Sequence, residues 1–339
     1  MHLKSFWRLP QTVILACLTG MFLLLNGVAF IDYRHFEYIT SHFRDVSPLC
    51  NVQTLYSSPL TFFIGYPFTH LLGTNLTYHL LGTGSLALFG LLLVTALRKN
   101  YPSGILIPAL ILASTPLFFI LTHWMGKSDS FLLAGVLALI QLPRQRGLAL
   151  TAVGTLVMLC HQDIGTILLV TMVILELLAW GPSLISILLG RGLIWMYHHL
   201  FLSHPPISRI DFALTFIPKL IDNVQHAPTA MIFWTLGYFW FWIFLLPYLR
   251  RREWLLGLFF LAVTLTTLDF TRVFTLMVFP LIWVWTQRLS PVLTQETQRT
   301  PAWLWTLALM ALFPFQVQFG FMTGSTIGNE IVHLLQLIP

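Results

Sequence analysis

The chain reads as long apolar runs separated by short polar stretches. Continuous runs fall at about 12–31, 75–97, 104–121, 131–142, 148–160, 164–180, 184–202, 229–249, 254–268, 273–286 and 302–318. They do not alternate in polarity with period two, which argues against the strands of a membrane barrel. A helix of about 20 residues, at about 1.5 Å per residue, crosses a hydrocarbon core of about 30 Å, so the runs predict membrane-spanning helices. The fourth is short and is expected to start before Phe131. Residues 57–73, SSPLTFFIGYPFTHLLG, are too broken by Pro59, Gly65, Pro67 and Gly73 for an ordinary span and read as an outer interfacial or re-entrant piece. Residues 34–44 read as a short interfacial helix. The expected architecture is all-α: a polytopic bundle of about 10–12 spans with short outer interfacial helices and no soluble domain. The chain is read as a single integral membrane domain, 1–339, with loops 32–58 and 203–228 as candidate substrate-binding loops.

Composition supports this reading. The chain is 57% hydrophobic and 9% charged, where soluble domains carry about 25% charge. The sequence pI of 9.4 does not imply nucleic acid as a partner, because the basic residues are dispersed among apolar segments. Cys17, Cys50 and Cys160 have no metal-site spacing and form no disulfide framework. The first run has no clear cleavage site and is read as a retained helix. The positive-inside rule places His2, Lys4 and Arg8 in the cytoplasm. With the spans counted from there, Arg98, Lys99, Arg144, Arg146, Arg250, Arg251, Arg252, Arg288 and Arg299 fall inside. Asp32, Glu37, Asp45, Asp129, Asp163, Asp211, Asp222 and Asp269 fall outside. Residues 288–299 are expected as a polar cytoplasmic loop. Arg191 and Glu176 lie within apolar runs, either paired with each other or near the cytoplasmic edge.

Four polar clusters interrupt the apolar chain. They are Asp32 with Tyr33, Arg34 and His35; His123 to Asp129 in HWMGKSD; His161 with Asp163 in HQD; and Asp269 with Arg272 in LDFTR. All four fall at the outer ends of predicted helices. Carboxylates, imidazoles and cations at one depth are the materials of an active site or of a site for a charged ligand. Capping competes with this reading at Asp129, Asp163 and Asp269, each of which opens a helix. Lys127 and Arg272 compete with snorkelling to the headgroups. Asp32 is expected at the C-terminal end of the first helix, where the macrodipole disfavours an anion, so a cap explains it least easily.

The stretches AFIDYRHFEYI, LYSSPLTFFIGYPFTHLLG and the span ending in ALRKN resemble the C-type membrane glycosyltransferases. GKSDSFLLAGVLALI is similar to the start of a fourth span in that superfamily, and LDFTRVFTLMVFP to a late-span motif. Two departures stand out: Tyr33 follows Asp32 where many members pair Asp with Glu, and no soluble outer domain is expected here. The resemblance implies an outward-facing transferase that takes a sugar from a polyprenyl-phosphate type lipid donor. The acceptor would be a glycan, a lipid or a protein. Asp32 would take the acceptor proton as general base. Arg272 and Lys127 would hold the donor phosphate. Asp129, His123, His161, Asp163, Asp269 and Arg34 would bind substrate or support those groups. No cofactor is expected; a divalent metal is compatible with Asp and His together, but no ligand spacing demands one. The small size and short loops lean towards a bacterial inner membrane, with the site facing the periplasm, rather than the endoplasmic reticulum.

Two other classes fit the pattern less well. A polysaccharide polymerase or ligase using a diphosphate-linked glycan favours a large, arginine-rich outer loop, and 203–228 carries only Arg209 and Lys219. A transporter or flippase favours sites near the midplane at broken helices and internal repeats, and no repeat is evident.

Overall fold

The computed structural model describes residues 11–28, 58–102, 104–123, 128–201, 249–264, 270–300 and 302–312, with isolated positions between them. The regular elements among the described residues are all helices. In chain order they are α1 (Gln11–Asn26), α2 (Leu60–Leu72), α3 (Thr74–Asn100), α4 (Leu106–Ala113), α5 (Leu117–His123) and α6 (Asp129–Gln141). They continue with α7 (Gly147–Cys160), α8 (Gln162–Ile174), α9 (Trp180–Phe201), α10 (Arg251–Thr264), α11 (Phe270–Arg299) and α12 (Ala302–Leu312). Among them, α3, α9 and Arg272–Arg299 of α11 are long and apolar enough to cross a membrane, and α4 with α5 add a fourth if counted as one bent span. Large apolar side chains such as Leu91, Leu188, Trp195 and Leu258 are exposed, while many Ser and Thr hydroxyls are buried. Water disfavours an exterior of this kind; lipid does not.

The helices form two compact units. The first combines Met1–Val28, Leu97–Ile120 and Thr215–Pro339. Its centre is α4, whose residues from Leu106 to Leu112 are all buried, as expected of a helix apolar on every side. It packs against α1, α11 and α12. Gln11, at the start of α1, caps α4: its Oε1 accepts from the backbone N–H groups of Ile105 at 2.6 Å and Leu106 at 3.1 Å. Asn26, at the end of α1, donates from Nδ2 to the carbonyl of Leu312 at 2.9 Å, tying α1 to α12.

The second unit combines Ala29–Ala96 and Leu121–Leu214. Here α7 is central, packed against α6, α8, α9 and α2. Close approach comes from glycines, as in helix pairs that gain nothing from hydrophobic burial between lipid-facing surfaces. A Cβ at Gly154 would lie 2.3 Å from Ser186 Oγ, and one at Gly190 would lie 2.3 Å from Met158 Cβ. Gly165 lies against the backbone carbonyl of Val157, 2.9 Å from where its Cβ would be.

Several predicted elements are redrawn. The first helix does not run unbroken to residue 31. It stops at Asn26, where Gly27 takes φ 72° and donates its N–H to the carbonyl of Leu23 at 2.9 Å, the left-handed stop that glycine favours. The third span is bent by 65° between α4 and α5. Pro116 supplies no N–H there, and Ser114 and Thr115 turn their hydroxyls back onto the carbonyls of Ile111 and Leu112. Residues 57–73 contain one helix, α2, despite Pro67. The expected cytoplasmic loop at 288–299 is helical, as the last turns of α11. Leu289 and Leu293 are fully buried there, and Ser290 and Thr294 return their hydroxyls to carbonyls four residues back. The sixth run ends early, at Ile174, in a Schellman-type turn: Leu177 donates to the carbonyl of Met172 at 2.8 Å and Glu176 to that of Val173 at 2.9 Å. Glu176 occupies the left-handed position at φ 62°.

Candidate functional site

The polar residues of the second unit gather where α6 begins, α7 ends and α8 begins. Ser128 donates from Oγ to the carbonyl of Cys160 at 2.6 Å, joining the start of α6 to the end of α7. Asp129 follows, only 1% exposed, in the first turn of α6. His161 interrupts α7 and α8 with extended backbone, φ −165° and ψ 105°. Its Nδ1 accepts the N–H of Ile164 at 3.4 Å and so caps α8. That role needs the Nδ1 lone pair, which places the proton of a neutral ring on Nε2. Asp163 lies in the first turn of α8. Both aspartates therefore sit where a helix dipole favours negative charge.

A cation completes the group. Arg191 of α9 brings Nη2 to 3.6 Å from Asp163 Oδ1 and donates to Thr166 Oγ1 at 3.2 Å. Arg191 and Glu176 therefore do not pair with each other. The carbonyl of Glu176 instead accepts from the Arg144 guanidinium, joining the loops at the opposite ends of α7 and α8. With 13 or 14 residues each, α6, α7 and α8 are about 20 Å long. α9 has 22 residues, and beyond Arg191 it continues for about 15 Å.

The sequence-predicted site residues fare differently. Asp129, His161 and Asp163 come together in the second unit. His123 ends α5 in the same unit, with Nδ1 at 3.1 Å from Thr122 Oγ1. Arg272 is half-buried in the first turn of α11, in the first unit. Asp32, Arg34, Lys127 and Asp269 lie outside the described residues. The caps are also redrawn: His161, not Asp163, caps α8, and the N-cap position of α6 is Ser128 rather than Asp129, with its hydroxyl serving Cys160. Ser128 and Arg191 are additions to the predicted set. An arginine inside an apolar run was the signal for the second. Among the described residues, no three His, Cys, Asp or Glu side chains are grouped to hold a metal ion.

A second polar centre was not foreseen. Glu253, at the start of α10, is 1% exposed. Arg288 of α11 meets it with both guanidinium arms, Nη1 at 3.0 Å from Oε2. Trp285 Nε1 donates to the same oxygen at 3.1 Å, and the backbone N–H of Arg250 at 3.4 Å. Burial pushes the Glu253 carboxyl up, but Arg288, Trp285 and Arg250 outweigh it and hold the group below the ordinary carboxylate range. An acid among arginines at a helix start, RREW, was its only trace in the sequence. No protein-family model, curated protein or solved structure matches the chain.

Proposed function

We propose that this chain is a polytopic integral membrane glycosyltransferase of about 10–12 spans, with its N-terminus in the cytoplasm and its active site on the outer face of a bacterial inner membrane. It moves a sugar from a polyprenyl-phosphate type donor to a glycan, lipid or protein acceptor. The observation that carries this reading is the junction of α6, α7 and α8, where Ser128 ties the helix start that carries Asp129 to Cys160, next to His161 and Asp163, and where Arg191 of α9 pairs with Asp163. Such a group provides hydroxyl-binding acceptors and a cation beside an apolar exterior, which are the needs of a sugar joined to a lipid phosphate.

Nucleotide sugars stay in the cytoplasm, so an outward-facing transferase needs a donor that crosses the membrane with its lipid. Asp32 is the general base, removing the acceptor proton as the hydroxyl attacks the anomeric carbon. The leaving lipid phosphate takes the bonding electrons and is stabilised by Lys127. His123, His161, Asp163 and Arg34 orient substrate hydroxyls, and buried Asp129 supports them from the first turn of α6. With α1 ending at Asn26, the case for Asp32 rests on the resemblance and no longer on the helix dipole. The test is Asp32→Asn in vesicles that expose the outer face, assayed with a labelled polyprenyl-phosphate sugar. Loss of one acid–base step lowers the rate by about 10²–10⁴. Near-normal transfer by a correctly inserted variant would remove Asp32 from the mechanism.

One observation favours a second reading. The 65° break between α4 and α5 is of the kind that transporters place beside their sites. A transporter would take up labelled substrate, and that uptake would survive Asp32→Asn.

A further inference from the structure

Arg191 occupies an unusual position. Leu184, Leu188, Leu193 and Met196 around it on α9 are exposed apolar side chains. Its own side chain is 50% exposed. Only Nη2 is engaged, by Asp163 and Thr166; Nη1 and Nε have no hydrogen-bond partner among the described residues. One turn further on, the Trp195 indole stacks on the His199 imidazole, with ring centroids 5.3 Å apart and planes within 4°. The spacing i, i+4, i+8 carries the guanidinium and this aromatic pair along one side of the helix. Trp195 is 67% exposed.

We propose that Arg191, Trp195 and His199 form a binding site for the phosphate headgroup of a membrane lipid, entered sideways along the apolar face of α9. Charge complementarity selects the headgroup: with only Nη2 engaged, the N–H groups of Nη1 and Nε remain as donors for phosphate oxygens. The apolar side chains flanking Arg191 select a ligand with a long tail. The proposal rests on α9 facing lipid and does not require sugar transfer.

The experiment uses the full chain in maltoside micelles and radiolabelled dodecyl phosphate, with dodecanol and inorganic phosphate as unlabelled competitors. Dodecyl phosphate should compete at least tenfold better than either. Arg191→Gln should weaken its binding at least tenfold. The exposed pair Trp195→Leu with His199→Gln, which leaves the Asp163 contact intact, should weaken it several-fold. Unchanged binding in both variants overturns the site. Equal competition by inorganic phosphate overturns the lipid as the source of the headgroup. Failure of the sugar-transfer assay alone leaves either binding result standing.

Discussion

Glu253 with Arg288 and Asp163 with Arg191 are both carboxylate–guanidinium pairs, yet their settings are opposite. In the first unit, Glu253 is buried and its oxygens meet Arg288, Trp285 Nε1 and a backbone N–H. In the second, the pair is 3.6 Å apart, with the Arg191 and Asp163 side chains 50% and 33% exposed. The closed pair holds α10 to α11, with both Glu253 oxygens already engaged. The open pair holds its partners at longer range and leaves Arg191 Nη1 and Nε as donors for something else. Similar chemistry thus separates into a structural clamp and a candidate site according to burial and the number of bonds already made.

The largest effect is expected at the clamp. Glu253→Ala leaves a largely buried guanidinium without its anion and should cost about 3–5 kcal/mol, read as a drop in thermal midpoint. The pH dependence has a definite sign. The Glu253 carboxyl is held below its ordinary value, so the unfolded chain binds more protons in the acid range. The contribution is complete above the unfolded value of about 4.3 and is lost as pH falls through the lower folded value. Glu253→Gln should flatten the acid side of a stability–pH curve; an unchanged slope would remove the clamp from acid sensitivity.

Smaller effects sharpen the second unit. Gly190→Ala places a Cβ 2.3 Å from that of Met158, while a Cβ at Gly192 meets nothing within 4 Å. The first should destabilise by about 1–3 kcal/mol. The second should stabilise by up to about 1 kcal/mol through helix propensity. Equal midpoints for the two would contradict the packing of α7 against α9. The smallest effect is at Glu176, whose φ of 62° suits glycine. Glu176→Gly should raise stability by up to about 1 kcal/mol, reduced by the greater freedom of glycine in the unfolded chain.

Apolar runs predicted most helices because residues in contact with lipid leave a continuous signal. The starts of α6, α7 and α9 fall close to their predicted positions. Boundaries failed where a backbone detail overrode the pattern. α1 stops at one glycine, α8 stops at a glutamate in a glycine conformation, and the third run bends at Pro116. The candidate site was legible as separate clusters, because Asp129, His161 and Asp163 interrupt apolar runs. Their meeting depends on the Ser128–Cys160 hydrogen bond, 32 positions apart in sequence. The partner of Arg191 is similarly remote, so its charge was visible and its role was not. Glu253 was hidden by neighbouring arginines, which made an acid at that point look like ordinary surface.

Sugar transfer per folded molecule, compared between Asp163→Asn and Glu253→Gln, tests the functional assignment of the two pairs most directly. Asp163→Asn should keep its thermal midpoint within a few degrees and lose most transfer from a polyprenyl-phosphate sugar. Glu253→Gln should lose thermal stability and keep its rate per folded molecule. The reverse outcome, with transfer abolished by Glu253→Gln and untouched by Asp163→Asn, would contradict the assignment of the two pairs.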